Sequence, residues 1–121
     1  MVRVLHVIPT FGGGGAERQL VLLAQELSRL KIDVHIAYMS DGPNSDRARE
    51  SGACIHRLEV RGNHSPRALV GLLSLINKRV RPTVVQTWLL HADVFGGLAA
   101  KLSRVPWVLS ERASRFAYVD G

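Results

Sequence analysis

Short apolar runs rich in β-branched residues alternate along this chain with longer segments in which apolar residues recur at helical spacing. This alternation constrains the fold more than any other feature. A strand–helix–strand repeat produces parallel strands joined by right-handed crossovers, with helices on both faces of the sheet. Strands are predicted at residues 2–8, 33–39, 54–58, 83–87 and 106–110. Helices are predicted at residues 16–30, 46–51, 66–80 and 91–103.

The predicted fold is an α/β, Rossmann-like three-layer sandwich whose parallel sheet has about five strands in the order 3-2-1-4-5. In this order the winding reverses between strands one and four, and such sheets bind ligands outside the carboxyl ends of their strands at that switch point. The loops at residues 10–15 and 88–91 are predicted to line the crevice, with residues 110–114 nearby.

Residues 12–15 are four consecutive glycines between the first strand and the first helix. Glycine allows a close approach of backbone to ligand, and a helix N-terminus attracts anions, so Gly13, Gly14 and Gly15 are predicted to bind a phosphate. The alternative is a tight turn that binds nothing. A dinucleotide fingerprint fails because Glu17 or Arg18 falls on its last glycine, and no P-loop lysine follows.

Three further side chains lie next to the predicted crevice. Glu17, in the first helical turn, pairs favourably with the helix dipole or binds the hydroxyls of a polar ligand. Trp88 either stacks on a sugar or base or covers the end of the sheet. His91 lies beside it in the second loop. The other histidines, in strands or in a loop without metal-ligand spacing, are predicted to be structural, and no metal site is expected.

Three segments in the same order and spacing resemble the retaining glycosyltransferase family 4, whose members have the two-domain GT-B fold. They are GGAER at residues 14–18 after the strand VLHVI, then PTVVQTW with HAD, then GGLAAKL with VPWV. The resemblance extends from residue 2 to about residue 114 and implies that the chain is the N-terminal half of a GT-B architecture. Gln86 stands where the family often has histidine, which is a departure from its pattern.

The resemblance implies an enzyme of hexosyltransferase type, which transfers a sugar from a nucleotide-sugar donor to a glycan or lipid-linked acceptor with retention. It implies that this domain holds the acceptor while the glycine run meets the donor diphosphate. Arg112 falls where many relatives place a donor-contacting histidine, which implies a catalytic role in stabilising the departing diphosphate. The alternative is a solvated loop arginine paired with Glu111. No cofactor is expected beyond the nucleotide-sugar, which is a substrate.

The resemblance also implies that residues 1–121 are a single, incomplete N-terminal domain that lacks a C-terminal donor-binding domain and turns over no substrate alone. The formal charge of +6 favours anionic partners, but the cations cluster at predicted helix ends, so nucleic acid is not expected. The only cysteine, Cys54, is predicted to be buried in a protein of a reducing compartment. With no signal peptide or spanning segment found, a cytoplasmic location is expected, with peripheral contact at the inner face of the membrane.

Two other functions remain open from the residues alone. One is a flavodoxin-like module that binds a phosphate or nucleotide without catalysis. The other is half of a nicotinamide oxidoreductase, in which Asp41 after the second strand would bind a ribose.

Overall fold

The computed structural model describes residues 2–11, 15–58, 66–88 and 90–110, and only the backbone of residues 66–68, 90–95, 109 and 110. The strands of this part are β1 (Arg3–Thr10), β2 (Asp33–Ser40), β3 (Cys54–Arg57), β4 (Val84–Trp88) and β5 (Trp107–Ser110). The α-helices are α1 (Gly15–Arg29), α2 (Ser45–Glu50), α3 (Pro66–Ser74) and α4 (Leu90–Leu102). A π-helical segment, Leu75–Val80, continues α3.

The strands form one sheet in the order β3-β2-β1-β4-β5, and every neighbouring pair is parallel. The predicted Rossmann-like α/β fold and strand order are therefore confirmed. In the central register, His6 of β1 lies between Ile36 of β2 and Gln86 of β4. Because β1 and β4 are adjacent and parallel, their carboxyl ends meet at one edge, as the switch-point argument requires.

Two buried clusters lie on opposite faces of the sheet and make it the middle of three layers. The cluster under α1 and α2 contains Ile8, Phe11, Leu20, Val21, Ala24, Val34, Ile36, Tyr38, Ala48 and Trp88. The cluster under α3, its π-helical continuation and α4 contains Leu5, Val7, Ala37, Met39, Leu58, Leu72, Leu75, Ile76, Val80, Val85, Ala99 and Ala100. Side chains along β1 alternate between the two clusters, which is the period of two expected for a strand covered on both faces.

Basic residues end three of the helical segments in a left-handed backbone conformation. Lys31, Arg81 and Arg104 have φ values of 63°, 50° and 58°. After α1 and α4, paired backbone hydrogen bonds such as Ile32 N–H to Leu27 O and Lys31 N–H to Ser28 O form Schellman motifs. Gly52, predicted to stop α2, has φ +95° and does so. The cations at the helix ends therefore also occupy positions that usually hold glycine.

One local expectation was wrong, and one predicted helix is present with a change of geometry along its length. Cys54 is exposed rather than buried, because it is the first residue of β3, a four-residue strand at the edge of the sheet. The predicted continuous helix at residues 66–80 changes from α to π geometry at Leu75. Its last turn closes through a hydrogen bond from Arg81 N–H to Ile76 O, directly before Pro82.

Candidate functional site

The carboxyl edge of β1 is held by backbone and aromatic contacts just before the glycine run. Phe11 is fully buried and packs against Tyr38 with ring centroids 4.9 Å apart. Its N–H donates to Ser40 O at 3.3 Å, and its carbonyl accepts from Asn44 N–H at 3.0 Å. The chain therefore enters the glycine run from an anchored residue and leaves it at Gly15, the first residue of α1.

Gly15 is exposed, and a Cβ built on it meets no atom within 4 Å. Its φ is not in the left-handed region, so the backbone conformation at this position does not require glycine. Neither the space around Gly15 nor its backbone conformation therefore requires glycine, and phosphate binding at this position stays a prediction. Gly13 and Gly14, which carry the rest of the phosphate-site prediction, lie outside the described residues.

Glu17 lies in the first turn of α1 with 6% of its surface exposed. A carboxylate at this position interacts favourably with the positive end of the helix dipole. Glu17 already takes part in an interaction within the protein, so it is not an unpartnered residue. The position supports the role of ordering the start of α1, and binding of ligand hydroxyls stays a prediction.

Trp88 is the last residue of β4 and only 4% exposed. Its indole belongs to the cluster under α1, together with Ile8 and Phe11, and its Nε1–H donates to His6 Nδ1 at 3.1 Å. Stacking on a sugar needs an accessible ring face, which this packing does not offer. The arrangement fits the alternative interpretation, in which the tryptophan covers the end of the sheet.

His6 is a functional-site neighbour whose importance the sequence did not indicate. It is fully buried in the middle of β1, and burial lowers its pKa to about 4. Because Nδ1 accepts from Trp88, the neutral ring carries its proton on Nε2, which has no hydrogen-bond partner in the described structure. His6 was predicted to be a structural histidine, and in the described structure its Nδ1 forms a hydrogen bond while its Nε2 does not.

His91 is the second residue of α4, which follows β4, so its backbone lies at the same edge of the sheet as Gly15. Its side chain is outside the described part. Arg112 also lies outside the described residues. The structure thus brings the backbones of Gly15, Glu17, Trp88 and His91 to one edge of the sheet.

A second polar group occupies this edge at the end of β2. The Asp41 carboxylate contacts Arg49 at 3.0 Å through one oxygen and Arg57 at 3.1 Å through the other. A hydrogen bond from Ser45 and these arginines lower the pKa of Asp41. Because both carboxylate oxygens are engaged, Asp41 is poorly placed to accept the two ribose hydroxyls that a nicotinamide oxidoreductase requires.

In the described residues, no group of three or more His, Cys, Asp or Glu side chains is arranged to hold a metal ion. Over the same residues, no helix combines the length and apolar character needed to cross a bilayer.

Solved structures with a similar fold include MurG and CalG4. MurG of Acinetobacter baumannii matches with a TM-score of 0.72 and 17% identity over 99% of this chain and 39% of its own. CalG4, the calicheamicin glycosyltransferase, matches with a TM-score of 0.65 and 18% identity over 98% of this chain and 34% of its own. At these identities the likeness shows the fold, and the chain spans well under half the length of either protein. Comparison with curated protein sequences gave no match.

The sequence also matches the family description "Glycosyltransferase Family 4" over residues 13–115, from the glycine run to just beyond β5. This range holds the last three residues of the glycine run, the loop at residues 88–91 and every strand of the sheet except β1. The chain therefore belongs to glycosyltransferase family 4 and has the fold of a GT-B N-terminal domain.

Proposed function

We propose that this chain is the acceptor-side domain of an enzyme that transfers a sugar from a nucleotide-sugar donor to a glycan or lipid-linked acceptor with retention. The observation that carries the proposal is the family match across residues 13–115. The sheet order supports it, because β1 and β4 form the switch point at which such sheets bind ligands. A second domain, corresponding to the part of MurG that this chain does not span, is proposed to hold the nucleotide.

In this proposal the glycine run contacts the donor diphosphate, and the first turn of α1 presents the positive end of the helix dipole to it. The open space around Gly15 supports such an approach. Glu17 and Trp88 mainly stabilise the carboxyl edge of the sheet by packing inside it, because both are nearly buried. His91, at the start of α4, is proposed to contact the sugar or the acceptor. The enzyme is proposed to act in the cytoplasm, with peripheral contact to the membrane.

The test uses the chain extended through its second domain and a panel of nucleotide-sugars with glycan and lipid-linked acceptors. We expect one donor to give a product whose anomeric configuration, read by NMR, is that of the donor. An inverted product would overturn retention but not sugar transfer. No transfer from any donor, together with tight nucleotide binding by residues 1–121 alone in calorimetry, would favour the non-catalytic binding module. Binding of NAD in the same assay would favour the oxidoreductase.

Arg112 is proposed to stabilise charge on the departing diphosphate, since a guanidinium binds such groups through two parallel hydrogen bonds. In the extended enzyme, turnover should fall from wild type to Arg112→Lys, which keeps the charge, and further to Arg112→Ala. Loss of such a donor costs about 100-fold in rate or more, with acceptor affinity little changed. Turnover of Arg112→Ala within about twofold of wild type would contradict this role.

A further inference from the structure

A recess of about 450 Å³ opens between β3 and the helical layer formed by α3 and its π-helical continuation. This volume lies within the range of pockets that hold small ligands. It is lined by Ile55, His56, Arg57, Leu58, Gly71, Ser74, Leu75 and Arg79. Because β2 separates β3 from β1, the recess lies away from the β1–β4 switch point.

The recess lies along β3, the outer strand of the described sheet, which pairs there only with β2. Four consecutive residues, 55–58, line it. Neighbouring side chains of a strand point to opposite faces, so a cavity on the helical side that touches all four meets backbone atoms of this segment as well as side chains.

The charged side chains that line the recess are all basic or can become so. His56, Arg57 and Arg79 contribute, and none of the lining residues is acidic. The Arg57 guanidinium is partly neutralised by Asp41 at 3.1 Å. Arg79 forms no ion pair with any side chain in the described part of the chain. Among the described side chains that line the recess, the Arg79 guanidinium is therefore the cation that no ion pair neutralises.

The surroundings of His56 also favour the binding of an anion. Its ring stacks on His35, with His35 Nδ1 and His56 Nε2 2.9 Å apart in a hydrogen bond, while His35 Nε2 faces Asp33 at 3.1 Å. Burial, then His35 and Arg79, lower the pKa of His56. An anion beside His56 and Arg79 would relieve their repulsion and stabilise the protonated ring.

We propose that this recess binds a small organic phosphate. Arg79 and His56 hold the phosphate group, the Ser74 hydroxyl donates to it, and Leu58 and Leu75 contact the organic part. A guanidinium and an imidazolium form charge-assisted hydrogen bonds to phosphate, and the apolar lining distinguishes a phosphate ester from inorganic phosphate. The assignment does not depend on sugar transfer.

The test is titration of the 121-residue chain with glucose 1-phosphate, inorganic phosphate and glucose, followed by amide NMR and calorimetry. We expect saturable shifts at Gly71, Ser74 and His56 with glucose 1-phosphate, weaker binding of inorganic phosphate and none of glucose. Arg79→Gln should weaken binding about tenfold. Arg29→Gln is the matched control, because it removes an exposed cation on the opposite helical layer and should leave affinity unchanged.

His56→Gln is a second variant. It keeps a polar side chain of similar size but cannot be protonated, and it should also weaken binding. The proposal is overturned if millimolar glucose 1-phosphate gives no saturable shift, or if Arg79→Gln and Arg29→Gln weaken binding equally, which indicates general charge attraction. It is also overturned if a glutamate-rich peptide, but neither phosphate, shifts these amides. That result would assign the edge of β3 to an extended protein segment.

Discussion

His6 shows how a single buried side chain organises the sheet end. Its Nδ1 accepts the indole N–H of Trp88 at 3.1 Å, and the two rings are tilted by 52° with centroids 6.0 Å apart. Both side chains are nearly or fully buried. A hydrogen bond between two buried groups is costly to break, because each partner then loses its bond without gaining water.

We predict that stability falls as the pH is lowered from about 6.5 to about 4, the interval between the ordinary histidine pKa and that of buried His6. Over this interval His6 is protonated in the unfolded chain but not in the folded chain. The free energy of unfolding is therefore highest above pH 6.5 and declines toward pH 4. The size of this pKa shift limits the loss of stability to about 3 kcal/mol. Urea denaturation at several pH values measures it.

His6→Leu should flatten much of this pH dependence while costing about 1–3 kcal/mol at pH 7, since the Trp88 indole loses its acceptor. His56→Gln is the comparison, because the pKa of His56 is also lowered and contributes a decline of the same sign. An unchanged pH profile in His6→Leu would show that His6 does not titrate as described.

At the scale of secondary-structure elements, the residues that end three helical segments have a strained, left-handed backbone, and substitution by glycine can remove this strain. Lys31 ends α1 with φ 63°, a conformation that costs an L-residue with a side chain about 1–2 kcal/mol. We predict that Lys31→Gly raises the free energy of unfolding by about 1 kcal/mol, because glycine adopts this conformation freely. Thermal and urea denaturation check the gain. Lys31→Ala is the control: it removes the same charge but keeps a Cβ, and an equal gain there would trace the effect to charge.

The contact between α4 and β5 depends on the absence of a side chain at Gly97. A Cβ there would lie 2.5 Å from the Trp107 ring, whose indole N–H donates to Thr87 Oγ1 at 2.8 Å. Alanine in a helix interior normally stabilises by up to about 1 kcal/mol relative to glycine. We predict instead that Gly97→Ala destabilises by about 1–3 kcal/mol, as overpacking does.

The double variant Gly97→Ala/Trp107→Leu tests the reason for that loss. Because the smaller side chain clears the space above residue 97, adding Gly97→Ala to Trp107→Leu should cost little or should stabilise. Additive losses in the two variants would place the cause elsewhere than in this contact.

At the scale of the whole molecule, we predict that a change at Gly15 affects ligand binding more than folding. Gly15 has space around its Cα and no left-handed backbone, so Gly15→Val should shift Tm by only a few degrees. In the enzyme extended through its second domain, the same change should weaken donor binding far more, because the branched side chain enters the proposed ligand space. Calorimetry with the donor and thermal denaturation measure the two effects. Equal losses in both would make the loop purely structural.

The sequence by itself determined the fold class, the strand order and most element boundaries. Periodicity is a local signal: β1 was predicted at residues 2–8 and lies at Arg3–Thr10, and α4 was predicted at residues 91–103 and lies at Leu90–Leu102. Each element is encoded by neighbours within one or two turns. The topological rules for parallel sheets allow more than one strand order, and in the order that was predicted and that the sheet adopts, the carboxyl ends of β1 and β4 meet.

Only the tertiary structure decided which side chains meet. His6 and Trp88 are 82 residues apart, and His35 and His56 are 21 apart, so their contacts depend on the register and facing of neighbouring strands. The same holds for Cys54, whose exposure follows from β3 lying at an edge. Burial and pairing are properties of the assembled sheet, because a strand's pattern shows that two faces exist but not what covers each of them.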